Sequence, residues 1–267
     1  MGMPTITEIG RHIFPFFRPE TKLRPGLLGT AVFCSVAEHP VALTAAHVLD
    51  QNDETIYFTD GDALEVAKED IRKTAMPASG DREDDKVDLA AFRLTAKQAA
   101  ALTTKKIMPI PLDQWNVDDR LIPSKHYVFS GFPASRTQLD YAEKKIMARG
   151  ISANCITASP KDFPELGFDR WIHIMGLFDR ENMADSTGAR ITAPVPWGMS
   201  GGAIWTLRPG SDDYALVGIN TRYLAKANFL IGTRLNGVVA LLGSFPEFVP
   251  YLPRPAIQPF TVSSVAG

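Results

Sequence analysis

Apolar positions in this chain fall in short runs separated by turn-forming residues, a pattern of strands rather than of long helices. Over 26–49 an apolar run, a polar turn at Ala37-Glu38-His39-Pro40 and a second apolar run predict a hairpin, with His47 just past its second strand. Residues 50–60 and 63–71 alternate polar and apolar positions around Gly61-Asp62 and predict more short strands. The stretch 76–85, rich in Pro, Ser, Gly and charge, predicts an exposed loop, and 87–94 an apolar strand with Asp88 near its start. Residues 96–103 are alanine-rich and helix-prone, whereas 109–124 is irregular. A second group of strands is expected at 127–133, 146–156, 171–177, 214–221 and 229–235, with a short helix at 238–242. The prolines of 245–259 exclude a regular ladder or helix and predict an extended tail, packed or mobile.

Twenty glycines and 20 prolines supply the turns such a pattern needs, and 267 residues suffice for two buried cores. Twenty-eight basic against 30 acidic residues leave a net charge of -2, so the charge balance points to neither nucleic acid nor an anionic membrane as partner. The doublets Lys105-Lys106 and Lys144-Lys145 read as solvated surface, because a nucleic-acid groove needs a clustered basic stripe. No run reaches the ~20 apolar residues of a membrane span. Residues 1–17 are interrupted by Glu8, Arg11 and His12, unlike the apolar core of a secretory signal. Cys34 and Cys155 are expected to be reduced core thiols, which with the missing signal favours a cytoplasmic location.

Gly198-Met199-Ser200-Gly201-Gly202 sets a serine among glycines, far downstream of Thr44-Ala45-Ala46-His47. A serine hydroxyl is a weak nucleophile at neutral pH and needs an imidazole to take its proton and a carboxylate to orient that imidazole. Chain order decides among three familiar arrangements. His12, His39, His47, His126 and His173 all precede Ser200, which excludes the Ser-Asp-His order of a nucleophile elbow. The first aspartate, Asp50, follows His47, which excludes Asp-His-Ser. His-Asp-Ser remains. Asp81, Glu83, Asp84 and Asp85 read as a solvated run, but Asp88 opens the apolar Leu89-Ala90-Ala91-Phe92 and is expected to be partly buried, where a carboxylate needs a partner such as the His47 N–H. Asp85 is the second candidate. The N–H groups of Gly198 and Ser200 are the candidate oxyanion hole. With no metal-ligand spacing and no phosphate loop, neither metal nor cofactor is expected.

Three separated blocks resemble the trypsin/chymotrypsin-like serine peptidase family, and its simpler bacterial-type members more than the digestive enzymes. They are Gly29-Thr30-Ala31-Val32-Phe33 with Ala42-Leu43-Thr44-Ala45-Ala46-His47-Val48-Leu49, then Val87-Asp88-Leu89-Ala90, then 196–205 with Leu216-Val217-Gly218-Ile219. The resemblance spans roughly 25–243. It implies an all-β fold of two six-stranded antiparallel barrels with the active site in the cleft between them. The barrels would occupy 25–108 and 125–243, with an N-terminal segment at 1–24, a linker at 109–124 and a Pro-rich tail at 244–267.

The same resemblance implies an endopeptidase acting on a protein or peptide substrate through His47, Asp88, Ser200 and an acyl-enzyme. Pro194 and Val195 fall at the base of the primary pocket, so a basic side chain would lack a carboxylate partner there. Asn220, Thr221, Arg222 and Tyr223 fall on the strand that pairs with substrate backbone. Tyr223 stands where many relatives keep glycine, implying a shallow pocket for a small or apolar residue. Arg222 reads either as a site for an acidic side chain or as a solvent-facing cation. Met199 stands where digestive relatives carry an aspartate that pairs with a newly cut N-terminus. Activation by trimming is therefore not implied, and control by a regulatory protein or ligand is the expectation. The alternative is a catalytically silent scaffold of this kind that binds a peptide or protein.

Overall fold

The computed structural model describes residues 8–21, 24–50, 56–59, 62–65, 67–119, 126–140, 145–184, 188–208 and 210–253. The N-terminal half holds strands β1 (Ile13–Thr21), β2 (Arg24–Val36), β3 (His39–Ala45), β4 (Ile56–Thr59), β5 (Asp62–Glu65), β6 (Ile71–Lys73), β7 (Leu89–Arg93) and β8 (Ile110–Pro111). Two helices belong with them, α1 (Ala46–Asp50), which carries His47, and α2 (Ala96–Thr104), which starts on a Thr95/Gln98 capping box. The C-terminal half holds β9 (His126–Gly131), β10 (Thr137–Asp140), β11 (Lys145–Ala148), β12 (Ile151–Thr157), α3 (Asp162–Glu165), β13 (His173–Leu177), β14 (Met183–Ala184), β15 (Arg190–Ile191), β16 (Ala203–Leu207), β17 (Tyr214–Leu224), β18 (Phe229–Arg234) and α4 (Leu235–Leu242).

The pleat explains why the central strands read as unbroken apolar runs. Val32, Cys34 and Val36 of β2 face one cluster while Ala31 and Phe33 face another. Val41 and Leu43 of β3 and Leu89 and Ala91 of β7 join the first, whereas Ala42, Ala90 and Phe92 join Phe14 and Phe16 in the second. Both faces are covered, so no polar alternation survives in the sequence.

In the C-terminal half the strands close into an antiparallel barrel in the order β12-β13-β18-β17-β16-β9. Tyr127, Phe129, Cys155, Ile174, Ile204, Val217 and Leu230 form one cluster within it. Val128, Trp205, Leu216 and Ile219 instead join the first cluster of the N-terminal sheet, together with Leu235, Val238 and Leu242 of α4. One core therefore runs through both halves and fixes the loops of one against the strands of the other. Asp119 and Arg234, each 4% exposed, form an ion pair that also accepts the Tyr127 hydroxyl at 2.7 Å, tying the end of the expected linker to the barrel. Among the described residues no helix is long and apolar enough to cross a membrane.

Of the expected pair of closed barrels, one is present among the described residues, in the second half. The first half is a sheet in the order β1-β2-β3-β7-β6, with β8 parallel to β2, and the β4–β5 hairpin pairs only with itself among the described residues. Beyond the stretch paired with β1, the edge of β2 is taken by Ile110 and Pro111, and proline has no N–H with which to continue a ladder. The strand β1 lies within the expected N-terminal segment. Pro15 and Pro19 obscured its pattern, but they fit an edge strand with register shifts after Phe16 and Pro19. In the expected tail, Phe245 and Phe248 are buried in the shared core and Arg72 and Arg93 lie over the Phe245 ring. Residues 254–267 of that tail lie outside the described residues.

Candidate active site

His47 follows β3 in the one-turn helix α1 and keeps about a third of its side chain exposed, whereas the Asp88 side chain is 2% exposed. The two meet twice. Asp88 Oδ2 lies 2.7 Å from His47 Nδ1, and Asp88 Oδ1 accepts the His47 backbone N–H at 3.0 Å. The Asp88 carbonyl also accepts the Ala46 N–H at 3.1 Å. Asp88 has φ of 47°, a left-handed conformation that Asp and Asn tolerate better than most residues with a Cβ. An ionised Asp88 so placed keeps the proton on Nδ1 and leaves Nε2 as a base.

Asp85 has other partners. Its Oδ2 accepts Arg82 at 2.8 Å, and Arg82 also reaches Asp50 at 2.6 Å, at the C-terminal end of the helix that holds His47. Burial would raise the Asp50 carboxyl, but bonds from Arg82 and Lys73 outweigh it and hold the group below its ordinary value. Three side chains of the second half fasten the Asp-bearing segment from the other side. Thr233 Oγ1 donates to Val87 O at 2.6 Å, His173 Nε2 lies 2.7 Å from Lys86 O, and Arg222 donates to Glu83 O at 2.8 Å and Asp85 O at 3.2 Å.

Ser200 sits against the same region. A Cβ on Gly29 would fall 2.9 Å from Ser200 O and 2.7 Å from Val48 Cγ2, so the serine backbone and the residue after His47 crowd one glycine. Thr30 N–H donates to Ser200 O at 2.8 Å. The Ser200 hydroxyl donates to Thr221 O at 3.3 Å rather than to His47. Thr221 lies at the irregularity between Asn220 and Arg222 in the β17–β18 ladder, which frees its carbonyl.

Residues 196–199 form a turn with Met199 N–H donating to Pro196 O at 3.0 Å and Gly198 at φ of 92°, the glycine-requiring third position of a type II turn. A trans peptide points its C=O and N–H in opposite directions. Trp197 O is held by Ala134 N–H at 2.7 Å, so the Gly198 N–H is turned away from Ala134. Met199 O is held by Gly202 N–H and by Asn220 Nδ2, both at 3.0 Å, so the Ser200 N–H is turned away from them. Among the described residues neither N–H donates to a protein acceptor. Thr30 Oγ1 donates to Gly198 O at 2.8 Å and accepts Phe132 N–H at 3.0 Å, linking β2, the turn and the end of β9.

The remaining expected site residues divide. Pro194 and Val195 are partly exposed on a segment suspended by Ala193 N–H to Arg180 O at 2.8 Å. Tyr223 stands edge-on to Phe178, ring centroids 5.9 Å apart, in the cluster that includes Ala193. Arg222 is neither a free cation nor solvent-facing alone, since its guanidinium bonds the Glu83 and Asp85 carbonyls. Asn220 is 2% exposed and its backbone N–H and C=O bond Gly202 and Gly201, so its polar groups face the serine loop. Thr30 is not among the site residues expected from sequence, and Asn220 is expected on the substrate-pairing strand rather than bonded to Met199 O; the one available signal is a polar residue inside an apolar strand, which burial obliges to find partners. Among the described residues no group of three or more His, Cys, Asp or Glu side chains could hold a metal ion.

The chain matches no family model and no curated protein. Among solved structures, it is similar to the serine protease domain of the Sesbania mosaic virus polyprotein, with a TM-score of 0.46 and 13% identity over 89% of this chain and 95% of that one. A second similar structure, described for aromatic interactions that drive coupled folding and binding of the intrinsically disordered Sesbania mosaic virus VPg protein, has a TM-score of 0.47 and 12% identity over 89% and 92% of the two chains.

Proposed function

We propose that this chain is a serine endopeptidase with Ser200 as nucleophile, His47 as general base and Asp88 as the orienting carboxylate. The observation that carries the reading is the pair of N–H groups of Gly198 and Ser200 that meet no acceptor among the described residues, each on a peptide whose carbonyl is tied back, beside a serine and a His47–Asp88 couple. Ser200 Oγ adds to the scissile carbonyl carbon as its proton passes to His47 Nε2, and the carbonyl π pair moves onto oxygen, where the two N–H groups receive it. Collapse expels the amine, which takes the proton from His47, and water repeats the sequence on the acyl-enzyme. Asp88 stays ionised throughout.

Tyr223 against Phe178, with uncharged Pro194 and Val195 close in sequence to the nucleophile, supports a small or apolar residue before the cleaved bond. The silent-scaffold reading draws support from one observation, the Ser200 hydroxyl resting on Thr221 O. Rotation about a single χ1 bond releases that contact, and catalytic hydrogen bonds commonly form only with substrate bound. A quenched-fluorescent peptide library separates the readings. Cleavage after small or apolar residues, lost in Ser200→Ala and His47→Ala, is the expected result, whereas saturable peptide binding without cleavage by the wild type selects the scaffold.

A further inference from the structure

Met199 precedes the nucleophile and is fully buried, its backbone packed so closely on Gly131 that a Cβ there would fall 2.9 Å from Met199 Cα. An apolar side chain offers no charge by which to hold this loop, so the loop must be held through its backbone. Asn220 supplies three of the bonds. Its N–H donates to Gly202 O at 2.7 Å, its C=O accepts Gly201 N–H at 2.7 Å, and its Nδ2 donates to Met199 O at 3.0 Å. The first two would be made by any residue at this position of β17 other than proline. The third depends on the side chain, and it falls on the carbonyl whose peptide carries the Ser200 N–H.

We infer that Asn220 is a positioning residue for the oxyanion hole, an assignment that rests on the peptidase reading and names what fixes its geometry. Turning the Met199–Ser200 peptide over would bring Met199 O into the hole in place of the Ser200 N–H, because the two point oppositely across one planar group. Gly202 N–H alone also holds that carbonyl, but from within the same tight turn, whereas Asn220 holds it from a barrel strand paired to β18 at Gly232. The side chain is placed for this bond and little else, since Asn220 Oδ1 is buried and meets no hydrogen-bond partner among the described residues. An unmet acceptor of that kind is a cost that an apolar residue of similar size would remove. Its retention fits a loop secured by a neutral donor, formed without any change of charge or of chain end.

The test is Asn220→Leu, which keeps the branched side-chain skeleton at the cost of added bulk and removes both the donor and the unmet acceptor, with Asn220→Ala as a second variant should leucine not fold. Thermal melts report folding, and kcat and KM on a peptide substrate and the inhibition constant of a peptide aldehyde report the hole. The aldehyde takes Ser200 Oγ onto its carbonyl carbon and leaves an oxygen where the transition-state charge develops. The expected result is a folded protein whose kcat falls about 10- to 100-fold with KM little changed, and whose aldehyde inhibition constant rises by a similar factor. A folded variant with unchanged kcat, or with a raised KM and unchanged kcat, overturns the assignment of Asn220 while leaving the peptidase reading intact. A wild type that neither turns over peptide nor binds the aldehyde covalently overturns both.

Discussion

Asp88 holds His47 by both carboxylate oxygens, one on Nδ1 at 2.7 Å and one on the backbone N–H at 3.0 Å, so the imidazole and the peptide that carries it are oriented by the same buried group. Asp88→Asn keeps a side chain that tolerates φ of 47° but presents an amide where a charge is needed. Its expected effect is a loss of ~10⁴ in kcat with the fold retained. Asp88→Ala is expected to lose activity comparably and to be less stable than Asp88→Asn by about 1 kcal/mol, the cost of a left-handed conformation without a local polar side chain. Urea titration beside activity assays checks both. Asp85→Asn giving the larger loss of kcat would move the orienting role to Asp85.

Thr30 is the joint between the halves at the Ser200 loop. Thr30→Val preserves shape and deletes the hydroxyl, leaving Gly198 O without its donor and Phe132 N–H without its acceptor. The expected cost is about 1–3 kcal/mol of stability for an unmet buried polar group, accompanied by a lower kcat. Denaturation midpoints and steady-state kinetics measure the two effects.

The Asp119–Arg234 pair is buried on both sides. Asp119→Ala strands the guanidinium, and about 3–5 kcal/mol of destabilisation is expected. Exchanging Arg234 for Met in the same protein should recover much of that loss, because the uncompensated charge is then gone. A double-mutant cycle read by thermal or denaturant unfolding gives the answer.

Burial pushes His12 and His173 below the ordinary histidine value of 6.5, so the folded chain keeps both neutral where the unfolded chain takes up protons. The unfolded state then binds more protons below about pH 6.5, and stability rises with pH through that region. Their contribution is complete above about pH 6.5 and is lost as the pH falls toward the lowered folded-state values, at up to about 1.4 kcal/mol per pH unit for each histidine. His173→Gln should flatten this dependence relative to wild type in unfolding experiments between about pH 7 and about pH 5.

The order of His, Asp and Ser along the chain, the strands β9, β13, β17 and β18 and the helices α2 and α4 are legible because each rests on local pattern or on residue order, whereas β16 is not in the expected set and the single strand expected at 146–156 is β11 and β12. Other features depend on partners far away in sequence. Asn220 sits among Gly218, Ile219 and Thr221 with nothing to mark which way its amide turns, and only the fold brings Met199 O to it. Arg222 reads in sequence as a site for an acidic side chain or as a solvent-facing cation because its actual acceptors are backbone carbonyls in the Asp-bearing loop, which carry no sequence signature. The edge strand β1 was hidden by prolines that an edge tolerates, and whether the first sheet closes depends on strand pairing that periodicity does not encode.

Labelling with a fluorophosphonate probe, which reports a serine made nucleophilic in its folded setting, tests the central claim most directly. The folded wild type is expected to be labelled at Ser200, with labelling abolished in Ser200→Ala and strongly reduced in His47→Ala. A folded wild type that takes no label, or label that persists in Ser200→Ala, would contradict the account.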